Sequence, residues 1–342
     1  MGASSRLRTY QYLPYLEAEG MEVHVGPLFN DRYLKELYSG RGISWANVVR
    51  CYFRRLMLLF KVSAYDGVVI EKELFPFLPS WAEWCLSRSG RGYVVDYDDA
   101  VFHNYDLHPR LWVRWLLGNK ICKVMRHSRQ VRAGNDYLKE KALAAGAKDV
   151  LVLPTVVDGD KYSPAIERCS TVMVKVGWIG SPTTVKYVKD ILPVLERVNQ
   201  RHPFELVIIG GGTAVGFSGK ETTVIWSEEH EVAEIQRLDV GIMPLSDTPW
   251  ERGKCGYKLI QYMACGLPVV GSPIGVNEQL IINHENGFLA RGEEEWGKYL
   301  EQLILDRNLR FRMGEEGRRR VGERYTLQQL LPVYLKTLEA HG

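Results

Sequence analysis

The feature that most constrains this chain is a recurrence. A short apolar, β-branched run is followed by a turn and an amphipathic helical pattern, and the unit repeats along the whole length. Strand candidates in the first half are Val23–Leu28, Gly67–Ile70, Tyr93–Asp96 and Gln130–Ala133. In the second half they are Val172–Ile179, Leu206–Ile209, Thr223–Ile225, Val240–Pro244 and Leu267–Val270. Such short, nearly continuous apolar runs fit parallel strands buried on both faces. With helical patterns between them, the class is α/β. A length of 342 residues fits two domains. The run Val150–Val157 opens into the polar turn Asp158–Pro164, which sets the expected junction between domains at 1–155 and 156–325. Two doubly wound domains facing one another put a ligand cleft between the carboxyl ends of their strands. A chain of this class should open with an apolar strand, yet Gly2–Arg8 reads as the loop and helix start that follow one. The first strand is therefore expected to be missing, through a late start assignment or an incomplete domain. Arg8–Glu19 reads as a helix with Tyr12, Leu13 and Leu16 on one face and Gly20 as its stop.

Composition narrows the class. Hydrophobic residues make up 46% and charged residues 25%, proportions of a globular protein and not of a disordered or fibrous chain. The longest apolar stretches, such as Leu56–Phe60, fall far short of the ~18 residues a membrane span needs. No apolar run follows Met1, so no signal peptide is expected, and Arg6 stands where a myristoylation motif wants Ser or Thr. The six cysteines are scattered without a CxxC pair and read as reduced thiols of a cytoplasmic protein. The charge is uneven. Residues 1–150 carry 22 Lys and Arg against 16 Asp and Glu, whereas the remainder carries 22 against 25. Between Leu107 and Asn135 seven basic residues are interleaved with Trp112, Trp115, Leu116, Leu117 and Ile121, with no acid among them. Arg50–Lys61 has the same character. Two readings fit: a peripheral surface for an anionic membrane, or packed helices whose charges face water. No groove-binding motif points to nucleic acid.

The chemistry concentrates in Gly253–Val270. Gly266 and Pro268 end a helix there, and Val269–Val270 resume a strand. With the helix starting near Gly256, Lys254, Lys258 and Gln261 fall at i, i+4 and i+7 on one face of its amino end. Backbone N–H groups, the helix dipole and two lysines suit a diphosphate, and Gln261 is placed to bond sugar hydroxyls. A solvated lysine face gives the same pattern.

This stretch and its surroundings resemble the retaining glycosyltransferases of family 4, with the GT-B fold. The resemblance runs over most of the chain: Ser4–Arg8 with Tyr12–Leu16, Glu71–Leu74, Asp96–Ala100, Gly134–Leu138, Gly177–Ser181, Asp239–Leu245, Gly271–Glu278 and Asn286–Phe288. It implies two Rossmann-like domains facing a central cleft, the first for the acceptor and the second for a UDP- or GDP-linked sugar. It also implies transfer with retention and without a metal, and a final helix (326–342) that crosses back onto the first domain. Donor contacts are expected from Gly180, Ser181, Lys254, Lys258, Gln261 and Glu278. Asp99 and His103, just past a strand end, are expected to meet the acceptor hydroxyl and the donor sugar. Each has a plainer reading, as a cap and as a structural histidine. The sequence departs from the family's pair of glutamates separated by seven residues: Gly253 and Gln261 occupy those places. Glu251, two residues away, is the expected substitute.

Other signals are weaker. Gly210–Thr213 does not complete G-x-G-x-x-G, His103 and His108 lack partners at zinc-ligand spacing, and no Gly-x-Ser-x-Gly elbow occurs. The leading expectation is a glycosyltransferase of surface polysaccharide biosynthesis acting on a glycan or lipid-linked acceptor, cytoplasmic or peripheral on the inner membrane face. A catalytically silent GT-B-like scaffold and a nucleotide-sugar epimerase are the alternatives.

Overall fold

The computed structural model describes residues 3–33, 36, 42–165 and 173–339, which form two compact units. The first comprises Met1–Pro154 and Leu331–Gly342, the second Thr155–Leu330.

The first unit is built on four parallel strands in the order β1-β2-β3-β4: β1 (Val69–Glu71), β2 (Val94–Tyr97), β3 (Gln130–Ala133) and β4 (Val150–Val152). Its helices are α1 (Ala3–Arg8), α2 (Leu13–Ala18), α3 (Trp45–Leu59), α4 (Trp81–Ser87), α5 (His103–Asp106), α6 (Leu111–Leu117), α7 (Lys120–His127) and α8 (Asp136–Ala144). Val95 and Val131, paired in register on β2 and β3, are completely buried beside Leu138 and Val124 of the covering helices. The chain's tail returns to this unit. Tyr334 stacks on Tyr12 at 4.0 Å, and the buried Arg132 guanidinium lies 4.2 Å over the Tyr334 ring and donates to Thr337.

Two expectations for this unit need correction. Val23–Leu28 is not a strand. Pro27 has no N–H to give a ladder. The Gly26 carbonyl accepts from Arg55 and that of Pro27 from Arg54, each at 2.7 Å, so side chains of α3 take the bonds a neighbouring strand would have made. Nor is Arg8–Glu19 one helix. The chain is helical from Ala3, tightens into a 3₁₀ turn at Tyr10–Tyr12, and restarts with Pro14 in the first turn of α2. A proline favours the first turn of a new helix because it lacks an N–H.

The second unit has six parallel strands: β5 (Lys175–Ile179), β6 (Glu205–Ile209), β7 (Lys220–Val224), β8 (Val240–Met243), β9 (Val269–Gly271) and β10 (Gly287–Leu289). Val172, where one strand candidate began, lies outside the described residues. The spatial order is β7-β6-β5-β8-β9-β10, which reverses direction between β5 and β8. The helices are α9 (Lys186–Asp190), α10 (Leu192–Arg201), α11 (Glu231–Gln236), α12 (Pro249–Arg252), α13 (Tyr257–Ala264), α14 (Asn277–Leu280), α15 (Glu293–Leu305) and α16 (Arg307–Arg324); α17 (Leu327–Glu339) starts here, and its residues from Leu331 belong to the first unit. Alternate strand residues enter two separate cores, Val176, Trp178, Leu206 and Ile208 on one face and Ile179, Val207 and Ile209 on the other. This two-sided burial explains why the strands read as continuous apolar runs.

Close backbone approach fixes α16 against α13. A Cβ placed on Gly314 would lie 2.0 Å from the Gly266 carbonyl oxygen. In an exposed helix Gly→Ala gains about 1 kcal/mol, but here the clash with fixed backbone outweighs it. Gly314→Ala is expected to destabilise by about 1–3 kcal/mol in urea denaturation; an unchanged midpoint would show that the helices move apart freely.

Among the described residues no helix is long and apolar enough to cross a membrane.

Candidate functional site

In a sheet wound both ways, ligands sit outside the carboxyl ends of the strands where the order reverses. In the second unit that point lies beyond β5 and β8, and the residues there come from the Gly180–Thr184 loop and the segment Pro244–Lys258. Gly256, with φ of +66°, turns the chain into α13, so Lys258 stands in the first turn of an eight-residue helix.

Lys258 reaches back over the sheet. Its Nζ lies 4.4 Å from the Trp178 ring, in the space a side chain at Gly180 would need. Among the described residues no carboxylate lies within ion-pair distance of it. Burial first, and the neighbouring Lys254 charge second, pull its pKa down to about 7. Lys254 lies 6.0 Å and Lys186 4.9 Å from the Tyr187 ring, so three ammonium groups gather around two aromatic rings. The sequence singled out two of them. Lys186, Trp178 and Tyr187 were missed, because nothing local marks a ring as the floor of a cationic ledge.

Other donor-side candidates are engaged within the unit. The amides of the Gly180–Ser181 turn, expected to face phosphate, are already donated: Gly180 N–H to the Ile209 carbonyl at 2.9 Å, Ser181 N–H to Thr184 Oγ1 at 3.1 Å. What this loop exposes is hydroxyls, with Ser181 Oγ 2.8 Å from Thr183 Oγ1. Gly210, with φ of +78°, lets the glycine run after β6 lie flat on the Gly180 carbonyl, 2.3 Å from where its Cβ would stand. Glu251 is buried and accepts from Tyr187 and Thr248; burial opposes its charge, but these bonds hold its pKa below the usual range. Gln261 is also buried. Its amide donates to the Tyr162 hydroxyl at 3.0 Å, and Tyr162 in turn donates to Glu231. Glu278 is exposed on α14, with Arg291 at 3.8 Å.

The first unit has its own polar cluster at the carboxyl ends of β1, β2 and β3. Lys72, directly after β1, has a left-handed φ of +65°. Strain of this kind in a non-glycine residue is held only where surroundings over-determine it. Its ammonium lies 3.2 Å from Asp98 and donates to Ser4 at 2.8 Å. Burial opposes the lysine's charge, yet Asp98, Asp99 and Glu71 raise its pKa. The Asp98 carboxyl is correspondingly held low, by Lys72, Ser4 and Arg8 against burial. Beneath it Arg8 grips both Asp96 oxygens, at 2.7 and 2.8 Å. Asp99 is half-buried beside this group. His103 is held at both nitrogens, Nδ1 2.7 Å from Asp106 and Nε2 2.9 Å from the Tyr137 hydroxyl. Nothing in the spacing of the sequence announced Lys72. Among the described residues no group of three or more His, Cys, Asp or Glu side chains is arranged to hold a metal ion.

Two parallel-sheet units, the second with a cationic ledge at its reversal point, have the architecture of GT-B glycosyltransferases. The glycosyltransferase of Rickettsia africae superposes with a TM-score of 0.71 at 14% identity, covering 100% of this chain and 96% of that one. Anabaena HepE in complex with UDP-glucose gives 0.66 at 14%, covering 96% and 89%. Residues 170–306, within the second unit, match the family model described as Glycosyl transferases group 1. Among curated relatives, the D-inositol 3-phosphate glycosyltransferase of Corynebacterium jeikeium is 24% identical over 48% of this chain and 46% of its own length. The N-acetyl-alpha-D-glucosaminyl L-malate synthase of Bacillus anthracis is 23% identical over 44% and 41%. The chain thus spans less than half the length of these relatives.

Proposed function

We propose that this chain transfers a hexose-type sugar from a UDP- or GDP-linked donor to a carbohydrate or lipid-linked acceptor, with retention and without a metal, in surface polysaccharide biosynthesis. The observation that carries the reading is Lys258, whose ammonium rests on Trp178 beyond β5 and β8 with no carboxylate among the described residues to neutralise it. As the glycosidic bond of the donor breaks, the diphosphate gains charge. Fixed cations stabilise that charge without reorganising, and losing one such contact costs ~3 kcal/mol. Lys258 and Lys254 take this role, with the Ser181 hydroxyl and Lys186 beside them. Glu251 and Gln261 act one step back: Glu251 orients Tyr187 under Lys254, and Gln261 braces Tyr162 against α13. Glu278 remains a donor-side carboxylate. In the first unit Asp99 receives the acceptor hydroxyl, and His103, clamped by Asp106 and Tyr137, presents a fixed edge to the donor sugar. The protein works in the cytoplasm, peripheral to the inner membrane face.

The internal engagement of both Glu251 and Gln261 favours one competing reading, a GT-B-like scaffold without turnover. Calorimetric titration with UDP, GDP and ADP in turn, without added metal, separates the two. Binding of one diphosphate with Kd on the order of micromolar is expected. Silence towards all three would leave the scaffold.

A further inference from the structure

The outer surface of the first unit is unusually apolar. On α3, Trp45, Val49 and Phe53 recur at helical spacing on the solvent side and Phe60 caps the helix, Trp45 being 80% and Phe60 74% exposed. On α6, Leu111 and Trp112 are joined by Trp115, which is 87% exposed. A run of aromatic contacts links the two helices. Tyr52 of α3 packs on Phe75, which stacks on Trp81 at the head of α4, and Phe77 touches Tyr105 and His108, the latter bonded to the Arg110 amide that leads into α6.

The charge around these rings is mostly positive; at the head of α3, Glu36 accepts from the Ser44 amide and is paired with Arg32. Arg50 and Arg54 flank the α3 stripe, and Arg110 and Arg114 flank the α6 rings. Nearby acids are neutralised: Glu73 pairs with Lys120, Glu83 is buried, and Asp106 lies between His103 and Lys141. A second copy of the chain placed on this face by two-fold symmetry would set arginine against arginine. A bilayer supplies phosphates to the arginines and an acyl boundary to the rings.

We propose that α3 and α6 form an insertion face, through which aromatic side chains enter the headgroup–acyl boundary of an anionic bilayer while the arginines hold its phosphates. This rests on the peripheral attachment proposed above and adds to it a mode that charge alone does not provide. Attachment by charge is screened away by salt, whereas buried rings hold on regardless.

The test is flotation of the full chain with vesicles of phosphatidylcholine containing roughly a third phosphatidylglycerol. At about 1 M salt, where the Debye length is ~3 Å, a clear fraction of the wild type is expected to remain bound. The exposed double variant Trp112→Ser/Trp115→Ser should lose that fraction at least tenfold with an unchanged melting temperature. Should that variant melt early, Phe53→Ser/Phe60→Ser on α3 gives the same reading from the other helix. Binding that salt abolishes entirely, equal in wild type and variants, would overturn insertion and leave attachment by charge. No binding to the vesicles would overturn both. A wild-type dimer in sedimentation velocity that the variants dissolve, with no lipid binding, would assign the face to a second copy and overturn the proposal. Nucleotide titration is unaffected by any of these outcomes, so the transferase reading is judged separately.

Discussion

The Lys258→Met variant is expected to melt at a higher temperature than the wild type while binding a nucleoside diphosphate about a hundredfold more weakly. Both effects have one origin. Burying an ammonium over Trp178 without a carboxylate is unfavourable, and a methionine of similar length fills the place without that cost. A stabilisation of about 0.5–2 kcal/mol is the usual yield of relieving such a site. The same half-buried amino group is what a diphosphate would find already in position. Proton linkage sharpens the test. With its pKa near 7 in the free protein, Lys258 is mostly neutral at pH 8, and a bound anion restores the charged form. Binding then takes up a proton, so affinity falls as pH rises above 7, by at most about tenfold per unit. Above pH 7 the diphosphate itself is largely ionised and adds little slope. Affinity measured at two pH values on either side of 8 should fall in the wild type and stay flat in Lys258→Met. A variant that binds as tightly as the wild type would remove Lys258 from the site.

The second large effect is expected in the first unit. Asp96→Asn leaves the Arg8 guanidinium buried with its main partner neutralised, and breaking a buried pair from one side costs about 3–5 kcal/mol. Arg8 also donates to the Leu153 carbonyl at 2.7 Å, so the pair ties α1, β2 and the end of β4 together. The double variant Arg8→Leu/Asp96→Leu should recover much of the loss, because it removes both charges at once. Denaturation midpoints of Arg8→Leu, Asp96→Leu and the double close this cycle. Additive losses would mean that the ion pair contributes no coupling and that packing alone holds α1.

The central strands were legible because both of their faces are buried, which leaves one uninterrupted apolar run per strand; the edge strand β7 has no buried residue. Bounds slipped by up to three residues, as with β7, read as Thr223–Ile225 and found at Lys220–Val224. β10 escaped because three residues carry no period. Val23–Leu28 failed for a different reason: a strand is defined by its partner, and here the partners are arginine side chains arriving from α3. The site divides the same way. Lys254 and Lys258 were readable because helical spacing places them on one face. That Lys258 leans on Trp178, eighty residues away in sequence, was not readable, nor was the internal capture of Glu251 and Gln261 by tyrosines. The left-handed turn at Lys72 leaves no trace in composition at all. Local pattern reports periodicity, whereas long-range side-chain capture reports topology.

The return of the tail to the first unit sets the order in which the protein can be completed at the ribosome. Arg132 waits for Thr337, 205 residues downstream, before its guanidinium has a hydroxyl to bond, and Tyr12 waits for Tyr334. At about 5–20 residues per second, nearly all of the second unit has been synthesised before those residues exist. The part of the chain made first is thus the part finished last. Until then its apolar helices and its uncovered buried arginine stand open to whatever surface or chaperone is near.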